Sequence, residues 1–379
     1  MFDYETLKLI WWVLVGILLI GFALTDGFDL GAVILMPFVG KTDSERRVVL
    51  NTIGPHWEGN QVWLVTAAGA LFAAWPVVYA ASFSGFYWAM LLVLFALFTR
   101  PLGFDYRSKL ENPNWRVRWD WAMWVGSFVP SLVFGVAFGN LFLGVPFTLD
   151  ETMRISYTGS FWGLLNPFGI LVGLVSVTML TTHGAAWLMM RTDEQVFHRS
   201  RTAAKNFAIA YLVTFIGAGI WLWLGIDGYS VTSIIDPNAA IDPLSKTVEQ
   251  NNPGWLANYA LHPVMLSAPV IGILGGIITF VAASSNRSGF AFLGSSLMIA
   301  GSICTAGFAL FPFLMPSSID LSSSLTMWDA VSSHKTLGIM FIAAIIFVPI
   351  ILTYTLWSYI KMWGTVKVTD IDSDPHGLY

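Results

Sequence analysis

The chain has 379 residues, of which 56% are hydrophobic and only 11% charged, with a mean hydropathy of +0.67 and a net charge of −4. A soluble domain carries about 25% charged residues, so the composition excludes an ordinary soluble protein and points to several membrane-spanning helices. The single cysteine, Cys304, excludes an internal disulfide, a Cys-rich iron–sulfur site and a CxxCH haem attachment.

The start, MFDYETLK, is acidic and no small-residue cleavage site follows the first apolar run, so that run is expected to be a retained helix and not a signal peptide. Nine apolar spans follow in order, at about 9–38, 48–74, 77–99, 120–145, 161–189, 205–225, 262–283, 289–312 and 336–360. The second and third form a hairpin with a tight turn at Trp75-Pro76. With nine spans, Lys41, Arg46, Arg47, Arg100, Arg107, Lys109, Arg116, Arg118, Arg191, Arg199, Arg201, Lys205, Arg287, Lys361 and Lys367 all fall on one side. Lys8, Arg154, Lys246 and Lys335 fall on the other. The positive-inside rule then puts the N-terminus in the periplasm and the C-terminus in the cytoplasm. An eight-span arrangement with both ends inside is the competing count.

The segments 146–160, 226–261 and 313–335 read as polar external loops, and the tail VTDIDSDPHGLY as a short acidic cytoplasmic end that includes His376. ALTDGFDLG in span 1 and WLGIDGYSV in span 6 form a weak internal echo of aspartate, glycine and aromatic. The expected fold is an all-α polytopic membrane protein, read as two pseudo-repeated four-helix bundles plus one peripheral helix. The divisions are 1–145, 161–360 and a tail at 361–379, within one integral subunit. GxxxG at Gly135–Gly139 argues close helix packing. Trp11, Trp12, Trp75, Trp221 and Trp223 fit an interfacial aromatic belt.

Ionisable residues in hydrocarbon are costly, and each is a candidate functional residue. Asp26 and Asp29 are three apart and share a face of helix 1. His56, Glu58, Asn60 and Gln61 interrupt the second span. By helical rise Asp29 lies roughly 18 Å from Lys41, and His56 roughly 14 Å from Arg47, so the two groups are expected to meet in the cytoplasmic half. For His56 and Glu58 two readings stand side by side: a proton path or quinone-head pocket, and a structural polar network. Asp26 is read as structural, and Asp227 as an interface or cap residue. Arg100 is read as a snorkelling anchor, or as the salt-bridge partner of Asp29 or Glu58. Trp57 and Trp63 sit in the polar arm, where they suit a ring-binding pocket. His56 and His183 lie on separate spans, and their spacing does not demand haem ligation. No P-loop, GxGxxG, HExxH or nucleic-acid signature is present.

ALTDGFDLG, PHWEGNQVWL, GALFAAWPVVYAASFSGFY, FTRPLGFDYRSK, FVPSLVFGVAFGNLFLGVPF and FPFLMPSS with LTMWDA together resemble subunit II of the cytochrome bd ubiquinol oxidase family, close to its enterobacterial form and over essentially the whole chain. The resemblance implies a subunit of a bacterial inner-membrane complex that oxidises quinol and reduces O2 to water without pumping protons. Haems b558, b595 and d, and the quinol-oxidising loop, would then reside in the partner, subunit I. A small single-span accessory subunit is also implied. This chain would supply no haem ligand or catalytic residue of its own, and no activity alone. It would support assembly, cytoplasmic proton delivery through Glu58 (often aspartate in the family) with His56 and Asp29, and O2 access near Trp63. A structural quinone would lie near Trp57, Arg100 and Asp29. From the residues alone, the rival functions are a proton-coupled transporter using Asp29, Glu58 and His56, and a purely structural scaffold.

Overall fold

The computed structural model describes residues 2–239, 241–251 and 254–373. His376 and the end of the tail lie outside the described residues. Helix α1 (Tyr4–Val39) is followed by α2 (Asp43–Ile53), α3 (Trp57–Ala74), α4 (Pro76–Gly85), α5 (Tyr87–Tyr106) and α6 (Pro113–Leu143). An antiparallel hairpin, β1 (Phe147–Leu149) with β2 (Ile155–Tyr157), and a single turn, α7 (Phe161–Leu164), lead to α8 (Pro167–Arg191) and α9 (Glu194–Gly225). A second hairpin, β3 (Gly228–Val231) with β4 (Val248–Asn251), precedes α10 (Ala257–Leu261), α11 (Ser267–Ser284) and α12 (Ser288–Leu310). A third, β5 (Phe313–Met315) with β6 (Leu325–Thr326), precedes α13 (His334–Lys361) and α14 (Val368–Ser373).

Among the described residues, eight helices are long and apolar enough to cross a membrane: α1, α5, α6, α8, α9, α11, α12 and α13. The expected span 48–74 is two helices. Gly54 and Pro55 separate an amphipathic α2 from α3, since proline lacks the amide that would continue the ladder. The expected tight turn is also different. Pro76 pushes Trp75 out of the helical region (φ −133°, ψ 71°) and then occupies the first turn of α4, so the chain crosses from α3 to α5 over a ten-residue helix.

The helices run between two ends. At one, the three hairpins form a cap: Val145 N–H donates to Pro316 O, Leu149 N–H to Ser323 Oγ, and Trp255 Nε1–H to Phe142 O. Segment 313–335, expected to be a polar loop, buries Met315, Leu325 and Met327 completely against Leu7, Phe147 and Trp75. Its Ser and Thr hydroxyls satisfy backbone groups inside the cap, which is why polar residues are tolerated there. Trp11 and Trp75 belong to this core and not to a lipid belt. Asp26 lies within α1, whereas Asp227 follows the end of α9 and is exposed, so the echo does not mark corresponding helix positions.

Small residues let the helices approach. A Cβ on Gly184 would sit 2.3 Å from Ala32 N, and one on Gly31 would sit 2.1 Å from Leu180 O, so α1 and α8 cross backbone to backbone. Gly135 and Gly139 of α6 meet Gly173 and Gly169 of α8 in the same way, as the GxxxG spacing predicts.

The opposite end is polar and carries α2. Thr42 and Glu45 form a capping box at its start. Asp120 of α6, 1% exposed, bridges Arg107 at 2.5 Å and Arg46 at 2.7 Å, and Asp43 bridges Arg107 and Arg116 at 2.9 and 2.5 Å. Arg199 holds Glu45 at 2.8 Å and donates to Val39 O, tying α9 to the end of α1.

Two consequences are measurable. Asp120→Asn leaves the buried Arg107 with only the partly exposed Asp43 as counter-charge and is expected to cost about 3 kcal/mol, read as a lower unfolding midpoint in detergent. Burial opposes ionisation of Glu45, but Arg199 and the amides of Lys41 and Thr42 outweigh it and hold the carboxyl below its usual 4.5. A depressed carboxyl pKa stabilises the fold above the unfolded value and loses that contribution as pH falls through the folded value. The stability gap between wild type and Glu45→Gln is therefore expected to be full at neutral pH and to close below about pH 4.5; a gap that persists in acid would contradict the ion-pair origin.

Candidate functional site

The polar groups of the bundle meet near the α2 end, between α1, α3, α5 and α13. Helical spacing puts Asp26 and Asp29 on one face of α1, and both are fully buried. They have different partners. Arg100 of α5 grips Asp26 with both terminal nitrogens, at 2.7 and 3.0 Å, and the pair is 1% and 0% exposed. The expected bridge from Arg100 to Asp29 or Glu58 is not formed, because this fork geometry commits the guanidinium to one carboxylate. Asp26, read as structural, is thus the counter-ion of the buried arginine.

Asp29 is held by a single amide, which a hydroxyl holds in turn. Asn60 Nδ2–H donates to its Oδ2 at 2.8 Å, and Tyr359 O–H of α13 donates to Asn60 Oδ1 at 2.6 Å. The other carboxylate oxygen, Oδ1, is buried without a protein partner. His56 occupies the N-cap position of α3 without a side-chain cap bond, and its ring stacks on Tyr359 at 4.2 Å with 15° between planes. His56 Nε2 is likewise buried and unpartnered. Orphaned polar atoms in an apolar interior are the places where ordered water makes its hydrogen bonds. The expected meeting of Asp29 with the polar arm therefore occurs through Asn60, with Tyr359 as a further member. Tyr359 gave no signal in the sequence: it sits in an apolar helix nearly 300 residues away, and only packing puts α13 beside α3.

Glu58 does not join this line. It is exposed on the face of α3 that turns away from the bundle, in a stripe with Gly59, Val62, Val65, Gly69 and Phe72. A Cβ on Gly59 or Gly69 would meet nothing within 4 Å, so the stripe is open to close approach. Trp57 stacks on Phe104 at 5.3 Å and is 8% exposed, and the Trp63 ring fills the space beside Gly21 of α1. Of the three quinone candidates, Asp29 and Arg100 lie together, and Arg100 Nε is buried without a partner among the described residues. Trp57 has one face already covered.

His183 of α8 is a cross-brace. Its Nε2–H donates to Leu24 O at 2.9 Å and its Nδ1 pairs with Ser295 Oγ at 2.8 Å, joining α1, α8 and α12. With both nitrogens engaged, this ring has no lone pair for a haem iron. Among the described residues no group of three His, Cys, Asp or Glu side chains is arranged to hold a metal ion.

Residues 7–362 match the family model for cytochrome bd terminal oxidase subunit II. The chain is 54% identical, over the full length of both chains, to cytochrome bd-I ubiquinol oxidase subunit 2 of Escherichia coli. It is 52% identical over the same length to a probable cytochrome oxidase subunit 2 of Haemophilus influenzae. To cytochrome bd ubiquinol oxidase subunit 2 of Bacillus subtilis it is 30% identical, covering 92% of this chain and 94% of that one. The fold is similar to a chain of the bd oxidase structure from Geobacillus thermodenitrificans, with a TM-score of 0.67 at 16% identity, covering 94% of this chain and 98% of that one. A multi-pass protein of the bacterial inner membrane, the chain belongs to the cytochrome bd terminal oxidase subunit II family.

Proposed function

We propose that this chain is the haem-free subunit of a quinol:O2 oxidoreductase and brings cytoplasmic protons to a haem-bearing subunit I seated on α3. The full-length relationship to ubiquinol oxidase subunits supports the complex. The observation that carries the proton role is Glu58, an ionisable side chain on an apolar, glycine-lined face with no partner among the described residues. Facing lipid, such a carboxylate would be costly; against a neighbouring helix it has a use. Helix α3, 18 residues long and therefore about 27 Å by helical rise, matches the hydrocarbon thickness and serves as a ninth crossing. In this reading the α2 end, where basic residues gather, faces the cytoplasm and the hairpin cap faces the periplasm, as the positive-inside rule supports. The divisions 1–145 and 161–360 serve as two halves of one subunit, with 361–379 as the cytoplasmic end.

In this reading the chain has two carboxylate stations in its cytoplasmic half. Glu58 delivers protons across the interface. Asp29, aligned by Asn60, with Tyr359 and His56 beyond it, holds a proton and ordered water inside the subunit. An amide cannot readily relay a proton without changing tautomer, so Asn60 orients Asp29 and does not conduct. Trp63, beside α1, borders the O2 route. Arg100 Nε offers a hydrogen bond to a structural quinone, and Trp57, stacked on Phe104 one turn along α5, borders that pocket. When bound in subunit I, haems b558, b595 and d supply electron transfer and O2 reduction. A small single-span subunit completes the assembly.

The decisive experiment replaces Glu58 by Gln in the assembled oxidase. Quinol-driven O2 consumption is expected to fall by about 100-fold, the low end of what a positioned proton-transfer group contributes, with normal haem content and activity retained in Glu58→Asp. Unchanged turnover at normal haem content would leave the chain a scaffold and remove the proton role.

A further inference from the structure

Helix α13 is weakly held. Its buried residues are Leu337 and Gly338, both near its periplasmic start, where Trp11 Nε1–H donates to Leu337 O. From Ile345 to Ile360 every residue is exposed except Thr355, Ser358 and Tyr359. The seat of Tyr359 on His56 and Asn60 therefore depends on what holds the far end of the helix.

That end is clasped. Arg191, the last residue of α8, is 2% exposed. Its Nη2–H donates to Met362 O at 2.9 Å and its Nε–H to Gly364 O at 2.6 Å. These carbonyls lie at and just past the α13 C-cap, where a helix leaves acceptors unsatisfied and where a cation is favoured. The guanidinium lies against both Trp187 and Trp363, 5.1 and 5.0 Å from their ring centres, where the two rings meet edge to face. Beyond it, Val366 N–H donates to Arg191 O at 2.8 Å and Val366 pairs with Thr192. Ile371 of α14 is buried, and Ser44 O–H of α2 donates to Asp372 at 2.9 Å.

We propose that Arg191 is a positioning residue: by fastening residues 362–373 it holds Tyr359 against His56 and Asn60 and so keeps Asp29 aligned and closed from lipid. This rests on the proton role given to Asp29 above. An ammonium cannot reproduce a planar fork that reaches two carbonyls while resting against two indoles, so lysine is not a conservative replacement here.

The test uses the assembled oxidase carrying Arg191→Gln, Arg191→Lys, Trp363→Ala or Tyr359→Phe, each checked for normal haem content. Hydrogen exchange in peptides covering 355–373 is expected to be roughly tenfold faster in the two Arg191 variants and in Trp363→Ala, the change that losing one or two hydrogen bonds' worth of local stability produces. In the same variants kcat is expected to fall with the KM for quinol unchanged and the solvent deuterium effect on kcat increased. Unchanged exchange in all three would overturn the clasp. Normal turnover in Arg191→Lys alongside fast exchange would also overturn it, because charge near His56 would then be what matters. Tyr359→Phe separates the two levels. If its turnover and isotope effect are those of wild type while Arg191→Gln still loosens 355–373, the underlying proton reading is the part that fails.

Discussion

A guanidinium cannot shed its charge at any physiological pH, so Arg100, buried among apolar helices, must bring a carboxylate in with it. Asp26 fills that need through two parallel hydrogen bonds. Much else follows from this commitment. Because Asp26 is consumed, Asp29, one helical turn on, is left without a direct cation and takes its alignment from the Asn60 amide. Two aspartates of the same type on the same face thus acquire different characters: one closes an ion pair, the other keeps a bare oxygen in a polar line. The pair also pins α5 to α1, the helix around which the bundle is packed.

The line exists only because the helices lie close enough to share it. Gly31 and Gly184 let α1 and α8 touch along their backbones, which brings Phe28 onto Trp187 at 4.0 Å and places Arg191 beneath the end of α13. His183, braced between Leu24 O and Ser295, holds the third side. Side chains too small to pack, and too polar for lipid, thereby set distances that larger residues use. The same logic explains how a chain with 16% identity to a solved relative keeps its fold: helix approach depends on small residues at crossings, and most lipid-facing positions are interchangeable among apolar types.

The site was only partly legible before the fold. The four polar residues of PHWEGNQ are conspicuous in an apolar chain, and the depth argument correctly brought Asp29 to them. It did not separate them. Asn60 and Glu58 are two residues apart, so on a helix they point in different directions, one inward to Asp29 and one outward from the bundle. Spacing also named the wrong partner for Arg100: Asp29 or Glu58 was expected, and Asp26, one turn before Asp29 on the same face, takes it. The membrane hairpin was read as a sharp reversal because an apolar run broken by proline resembles one; Pro76 instead starts a new helix.

What the sequence by itself determined is what composition and local periodicity can carry: a multi-pass helical membrane protein, its approximate spans, the side that holds the basic residues, and the family, through motifs spread along the whole length. These depend on residues near one another in the chain. The partners of Asp26 and Asp29, the buried cap built from segments that look like polar loops, and the clasp of Arg191 on the end of α13 were decided by tertiary structure. Each joins residues far apart in sequence, and whether two such groups meet is set by how helices cross and turn, which no local pattern encodes.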